Sequence, residues 1–166
     1  MGQTLEQLAT DFHAILSADP GPAGRARVRD RLVEVLTDAN FLAANLADGT
    51  PERKLLHEDP ELGFCILAHA YEGARESAPH DHGPSWAIYG QAAGETEMTE
   101  WAVVEPAAVG KAGKVRKIET YTLAPGDAHL YNEGELHSPR RSGATRLIRI
   151  EGANMDGVQR LAYEPV

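Results

Sequence analysis

The feature that most constrains this chain is a change of texture at Asp48-Gly49-Thr50-Pro51. Before it, apolar residues recur at helical spacing; after it, they come in short strand-length runs closed by glycine or proline. In the first part, Thr4-Leu5-Glu6-Gln7 fits a capping box, followed by Leu5, Leu8, Phe12, Ile15 and Leu16 on one face. Asp19-Pro20-Gly21-Pro22 stops that helix, because proline lacks the N–H and restricts the residue before it. A second helix is expected from about Ala23, with Val28, Leu32, Val35 and Leu36 inward, and a shorter one over Asn40–Leu46. His13 reads as a surface or boundary residue, and Arg25, Arg27, Arg29 and Arg31 as a solvated helix surface.

The second part predicts strands over Phe64–Tyr71, Trp86–Tyr89, Glu97–Val104, Arg116–Leu123, Ala128–Tyr131, Arg146–Glu151 and Gln159–Tyr163. Many short strands with regular turn punctuation imply an antiparallel barrel or sandwich. The expected fold is mainly β: a barrel preceded by two or three N-terminal α-helices. A chain of 166 residues fits one core, so residues 1–166 form a single domain, with a helical segment at 1–50 and the β-barrel at 62–163.

Sixteen Lys and Arg against 25 Asp and Glu give a net charge of −9, which repels phosphate backbones and argues against nucleic acid. No apolar run approaches the ~20 residues of a membrane span. The opening MGQTLEQLATDFHAIL has no basic and apolar signal regions, and Glu6 stands where myristoylation of Gly2 wants Ser or Thr. A lone cysteine, Cys65, allows no internal disulfide, so reducing cytoplasm is the expected compartment. A homodimer is left open.

The chemistry centres on Pro79-His80-Asp81-His82-Gly83-Pro84. On a strand, residues i and i+2 share a face, so His80 and His82 can aim two imidazoles at one point. A third ligand from a later strand would complete a facial metal site with open positions for substrate or O2. Two histidines follow at a suitable distance, His129 and His137, 47 and 55 residues after His82.

These residues resemble the cupin superfamily, whose first motif runs glycine, HxH, often glutamate, glycine. Gly73, His80, Asp81, His82 and Gly94 answer to it. Leu123-Ala124-Pro125-Gly126-Asp127-Ala128-His129 and Gly134-Glu135-Leu136-His137 both look like the second motif. The resemblance spans roughly Leu62 to Tyr163 and implies a double-stranded β-helix barrel. Where a glutamate ligand would stand, the chain has Trp86 and Ala87. A three-histidine set of this kind is similar to the thiol dioxygenases, the cysteine and 3-mercaptopropionate dioxygenases.

That narrower resemblance implies Fe(II), with Zn, Ni or Mn as alternatives, held by His80, His82 and His137. His137 is favoured over His129 because Gly-Glu-Leu-His follows a double turn. It also implies a small thiol or other chelating anion, plus O2, as reactants, with a sulfinate as product. Three neutral imidazoles leave the metal charge uncancelled, which favours an anionic ligand. The family's His-x-Tyr corresponds here to Arg149-Ile150-Glu151, so Tyr89, Tyr131 or Tyr163 would have to supply the hydroxyl, and Tyr131 is the candidate. The arginine that holds the substrate carboxylate maps by position to Arg53, or to its neighbour Lys54. A metal-binding cupin of other chemistry, or a binding module without turnover, is the alternative.

Other constellations read as structural: Cys65 and His69 as core residues, Trp86 and Trp101 as packing, Glu133 and Glu135 as solvated. No Ser-His-Asp arrangement can be read for Ser85 or Ser138, and no phosphate-cradling loop occurs.

Overall fold

The computed structural model describes residues 2–166. Three helices come first: α1 (Leu5–Ala18), α2 (Pro22–Val33) and α3 (Ala39–Asn45). The capping box at α1 forms as read: Thr4 Oγ1 accepts from the Gln7 N–H at 3.1 Å, and Gln7 Oε1 accepts from the Thr4 N–H at 3.0 Å. Asp38 caps α3 by accepting the Asn40 and Phe41 N–H groups.

Ten strands follow: β1 (Lys54–Glu58), β2 (Cys65–Tyr71), β3 (Arg75–Glu76), β4 (Ala87–Ala93), β5 (Thr96–Glu105), β6 (Gly113–Leu123), β7 (Ala128–Tyr131), β8 (Leu136–Arg141), β9 (Thr145–Glu151) and β10 (Tyr163–Pro165). They form two five-stranded sheets, ordered β1-β2-β9-β4-β7 and β10-β6-β5-β8-β3. From β2 to β9 the chain passes back and forth between the sheets, with only the β5–β6 hairpin staying in one. Every pairing is antiparallel except β10 on β6. This interleaving is a double-stranded β-helix, with the helices laid on one sheet. The strands extend beyond the 62–163 read from sequence at both ends, from Lys54 to Pro165.

Strand alternation divides the core in two. Ile66, Ala68, Ile88, Ile148 and Ile150 point outward and bury against Leu8, Phe12, Val28, Leu32, Leu36 and Phe41 of the helical layer. The opposite face of the same strands turns inward, where Ala87, Tyr89, Met98, Leu123 and Tyr131 pack together. Arg149 and Glu151 share that inward face of β9, opposite Tyr89 and Ala87 of β4.

The arginine cluster departs from a purely solvated surface. Arg25 reaches the barrel, bonding Asn132 at 3.1 Å and both carboxylate oxygens of Glu133. Arg31 ties α2 to α1 through Asp11 at 2.9 Å. The physical reason is that a long guanidinium stem lies along the helix interface while its head finds a carboxylate on the neighbouring element. His13 does a similar job, bonding the buried Asp59 at 2.7 Å. No helix among the described residues is long and apolar enough to cross a membrane.

Candidate metal centre

The HxH pair does not lie on a regular strand, contrary to the sequence reading. His80 and His82 occupy the connection between β3 and β4. What orients them is a single bridge to β8: the His80 N–H donates to the His137 carbonyl at 3.0 Å, and the His137 N–H returns to the His80 carbonyl at 2.9 Å. That reciprocal pair puts His80 directly opposite His137. Asp81 then steadies the turn by accepting the Gly83 N–H at 2.9 Å, and His82 swings into the barrel, 2% exposed.

The result is one cluster. Ligand atoms of His80, His82 and His137 all lie within 4.8 Å of one another. His82 Nε2 is 3.2 Å from His137 Nε2. Tautomers follow from the partners on the far side of each ring, since a carbonyl can only accept. His80 Nδ1 lies 2.8 Å from the Ala78 carbonyl and His137 Nδ1 lies 3.0 Å from the Glu135 carbonyl, so both Nδ1 atoms carry the proton. Each ring therefore presents an Nε2 lone pair to the cluster. Behind His82, Glu151 Oε1 stands 3.9 Å from Nδ1, and neither His82 Nδ1 nor Glu151 Oε2 has another partner.

Burial keeps these rings neutral. It pushes the His80 pKa down to about 4, and the Arg149 and Arg160 guanidiniums push the same way against the Ala78 carbonyl. Burial depresses His82 and His137 as well, reinforced at His82 by Arg149 and the other two imidazoles and at His137 by His80. Neutral imidazoles are the ligating form, so the set is ready at physiological pH without losing protons. Tyr89 contributes the one hydroxyl among them, 3.0 Å from His82 Nε2 and 3.2 Å from His137 Nε2. Its single proton can serve one lone pair; a first-row transition cation would accept all three. The donor set fits such an ion.

The remaining expected site residues lie elsewhere. His129, 38% exposed, stacks beside Tyr121 and sits 3.8 Å from Glu100, away from the cluster. Tyr131 stacks on the His137 ring with centroids 4.1 Å apart, but its hydroxyl is spent on Tyr121 at 2.5 Å. The hydroxyl at the ligand nitrogens belongs to Tyr89 instead, because Tyr89 enters from β4 on the interior face while the Tyr131 ring runs past His137. Arg53 lines a neighbouring cavity, yet its guanidinium leans on Asn154 at 3.5 Å and Asp156 at 3.9 Å. Lys54 is exposed at the start of β1.

Neither Arg149 nor Arg141 was given a site role from the sequence. Arg149 carries its guanidinium 4.3 Å from the centroid of the Tyr89 ring, and Arg141 is 3% exposed with its guanidinium 4.7 Å from the Tyr71 ring. Their signal was present: arginines at inward positions of otherwise apolar or mixed strands are expensive to bury and so point to a site. Cys65 is buried on β2 opposite Glu151, its thiol pushed up to about 11 by burial and by Glu58 and Glu151, which marks it as inert packing.

No protein-family model and no curated protein matches the sequence. Solved structures do resemble the fold. KdgF from Halomonas sp. superposes with a TM-score of 0.46 at 18% identity, covering 63% of this chain and 81% of that one. The cupin domain of Schizosaccharomyces pombe Cnp3 gives 0.46 at 12% identity, covering 61% and 64%. A Klebsiella pneumoniae protein with a double-stranded β-helix domain gives 0.46 at 18% identity, covering 70% and 88%. At such identities the likeness concerns architecture alone; the site rests on the geometry above.

Proposed function

We propose that this protein is a mononuclear metal-dependent dioxygenase that converts a small thiol acid to its sulfinate, with Fe(II) held by His80, His82 and His137. The carrying observation is the convergence of three imidazoles, His82 and His137 buried and His80 half-buried, whose far nitrogens are tied to backbone carbonyls or face a carboxylate. With no carboxylate among the ligands, an ion held by these three imidazoles would keep its full charge and would supply a redox centre suited to a thiolate and O2.

The chain's own residues do the rest. The Ala78 and Glu135 carbonyls fix the rings of His80 and His137, and Glu151 stands behind His82. Tyr89 holds a proton against the ligand nitrogens of His82 and His137, where it can donate to an oxygen or sulfur of the substrate. Burial raises the Tyr89 pKa, so that proton stays in place at neutral pH. Both atoms of O2 end on sulfur, taking RSH to RSO2H with no other reductant.

The test is O2 uptake by iron-loaded protein with cysteine, 3-mercaptopropionate, cysteamine and mercaptosuccinate. The expected result is stoichiometric sulfinate with at least one of them, lost in His82→Ala. No uptake with any thiol by protein that holds iron would move the reading to a metal-binding cupin of other chemistry. Glu151 in place of the late-strand tyrosine is the observation that favours that second reading.

A further inference from the structure

Beside the histidine cluster lies a polar cavity of about 260 Å³, walled in part by His69, Tyr71, Arg149 and Glu151 and reached past Arg53 and Arg160. Its charges do not cancel. Arg75 is paired with Glu52 at 2.5 Å. Arg53 faces Asp156 at 3.9 Å, and Arg149 faces Glu151 at 3.7 Å. Arg160 lines the wall without a hydrogen bond or ion pair to any described residue. Behind Tyr71, Arg141 is buried with Nε and Nη2 unpartnered, and Arg149 Nε is likewise buried and unpartnered. Two guanidinium charges thus stand in excess of the carboxylates around one small cavity.

Buried guanidiniums with unmet N–H donors, as at Arg141 and Arg149, are costly to the folded chain. They are retained where a ligand brings the missing charge, and guanidinium suits a carboxylate by its planar, two-pronged geometry. Tyr89 connects this cavity to the cluster: its ring carries Arg149, and its hydroxyl touches the ligand nitrogens of His82 and His137. A molecule held at Arg149 is therefore within reach of a metal on the three histidines.

We infer that this cavity is the binding pocket for a small dicarboxylate, one carboxylate at Arg149 backed by Arg141 and the other at Arg160 on the rim. Joined to the proposed function, on which this part rests, the substrate class becomes a mercapto-dicarboxylate and not a thiol with a single carboxylate. His69 adds an acceptor: its Nδ1 lies 2.7 Å from the Glu52 carbonyl, so the buried, unpartnered Nε2 offers a lone pair to a hydrogen of the ligand or of solvent.

Calorimetric titration with succinate and butyrate tests this, in the wild type and in a His80→Ala/His82→Ala variant. The two probes match in chain length and differ by one carboxylate. Succinate is expected to bind at least tenfold more tightly than butyrate in both proteins, because the arginines do not depend on the metal. Arg149→Met and Arg160→Ala should each weaken succinate at least tenfold while leaving the metal content of the wild-type background unchanged. Arg160 is exposed, so that variant decides the question should Arg149→Met fail to fold. Butyrate binding as tightly as succinate, or both variants binding succinate like wild type, would overturn the pocket. Succinate binding that survives in a protein that never takes up metal would uphold the pocket and sink the dioxygenase instead.

Discussion

His80 shows how much a single side chain reports about the site. In the unfolded chain its imidazole titrates near 6.5; folded, burial lowers that to about 4. The unfolded state therefore takes a proton that the folded state refuses as pH falls between those values. Stability from this group is complete above about pH 6.5 and declines down to about pH 4, and His82 and His137 shift in the same direction. The metal-free protein should lose urea resistance steadily on acidification through that window, and His80→Ala should flatten the slope. A pH-independent urea midpoint between pH 7 and 5 would contradict the buried, neutral assignment. Metal affinity should fall over the same range, since protons and metal compete for the same nitrogens. At this scale the sequence was informative about His80, His82 and His137, because HxH and Gly-Glu-Leu-His are local patterns. Tyr89, Arg141, Arg149 and Glu151 were not legible as a group, since only the pairing of β9 with β4 and the placement of β8 bring them to one interior.

The elements were legible where one face is apolar. The helices and most of the strands were readable, but the strand expected over Gln159–Tyr163 is irregular up to Tyr163, where β10 begins. β8 was not: Leu136–Arg141 reads LHSPRR, and its inward positions are His137, Pro139 and Arg141, so no hydrophobic alternation marks it. A strand that serves a site hides from a pattern that looks for a core. β1 was missed for a related reason, having charged ends and little apolar content in KLLHE, and β3 is only two residues long. Element packing also fixes where the site sits. A Cβ placed on Gly90 would lie 2.9 Å from the methyls of Leu32 and Leu36 and 3.0 Å from the Ile148 carbonyl. Helix α2 thus lies directly on β4, next to Tyr89. Gly90→Val should force α2 away from the sheet and cost about 1–3 kcal/mol, read as a lowered urea midpoint. An unchanged midpoint would mean that α2 does not press on β4 as described.

At the scale of the whole molecule, the helical layer seals one sheet and leaves the barrel interior free to be polar. The inner apolar cluster fills part of that interior, and much of the rest is given to His69 and the three clustered histidines, two arginines and a glutamate. A barrel built only for stability would fill that space with aliphatic side chains, because buried ionic groups seldom stabilise as well as packed hydrocarbon of similar volume. The central claim is that the three histidines hold one metal ion. Anomalous diffraction from crystals of iron- or nickel-loaded protein tests it most directly. One peak per chain, about 2.0–2.2 Å from Nε2 of His80, His82 and His137, is the expected result. A peak on His129 with His137 turned away, or no ordered metal at the cluster, would contradict it.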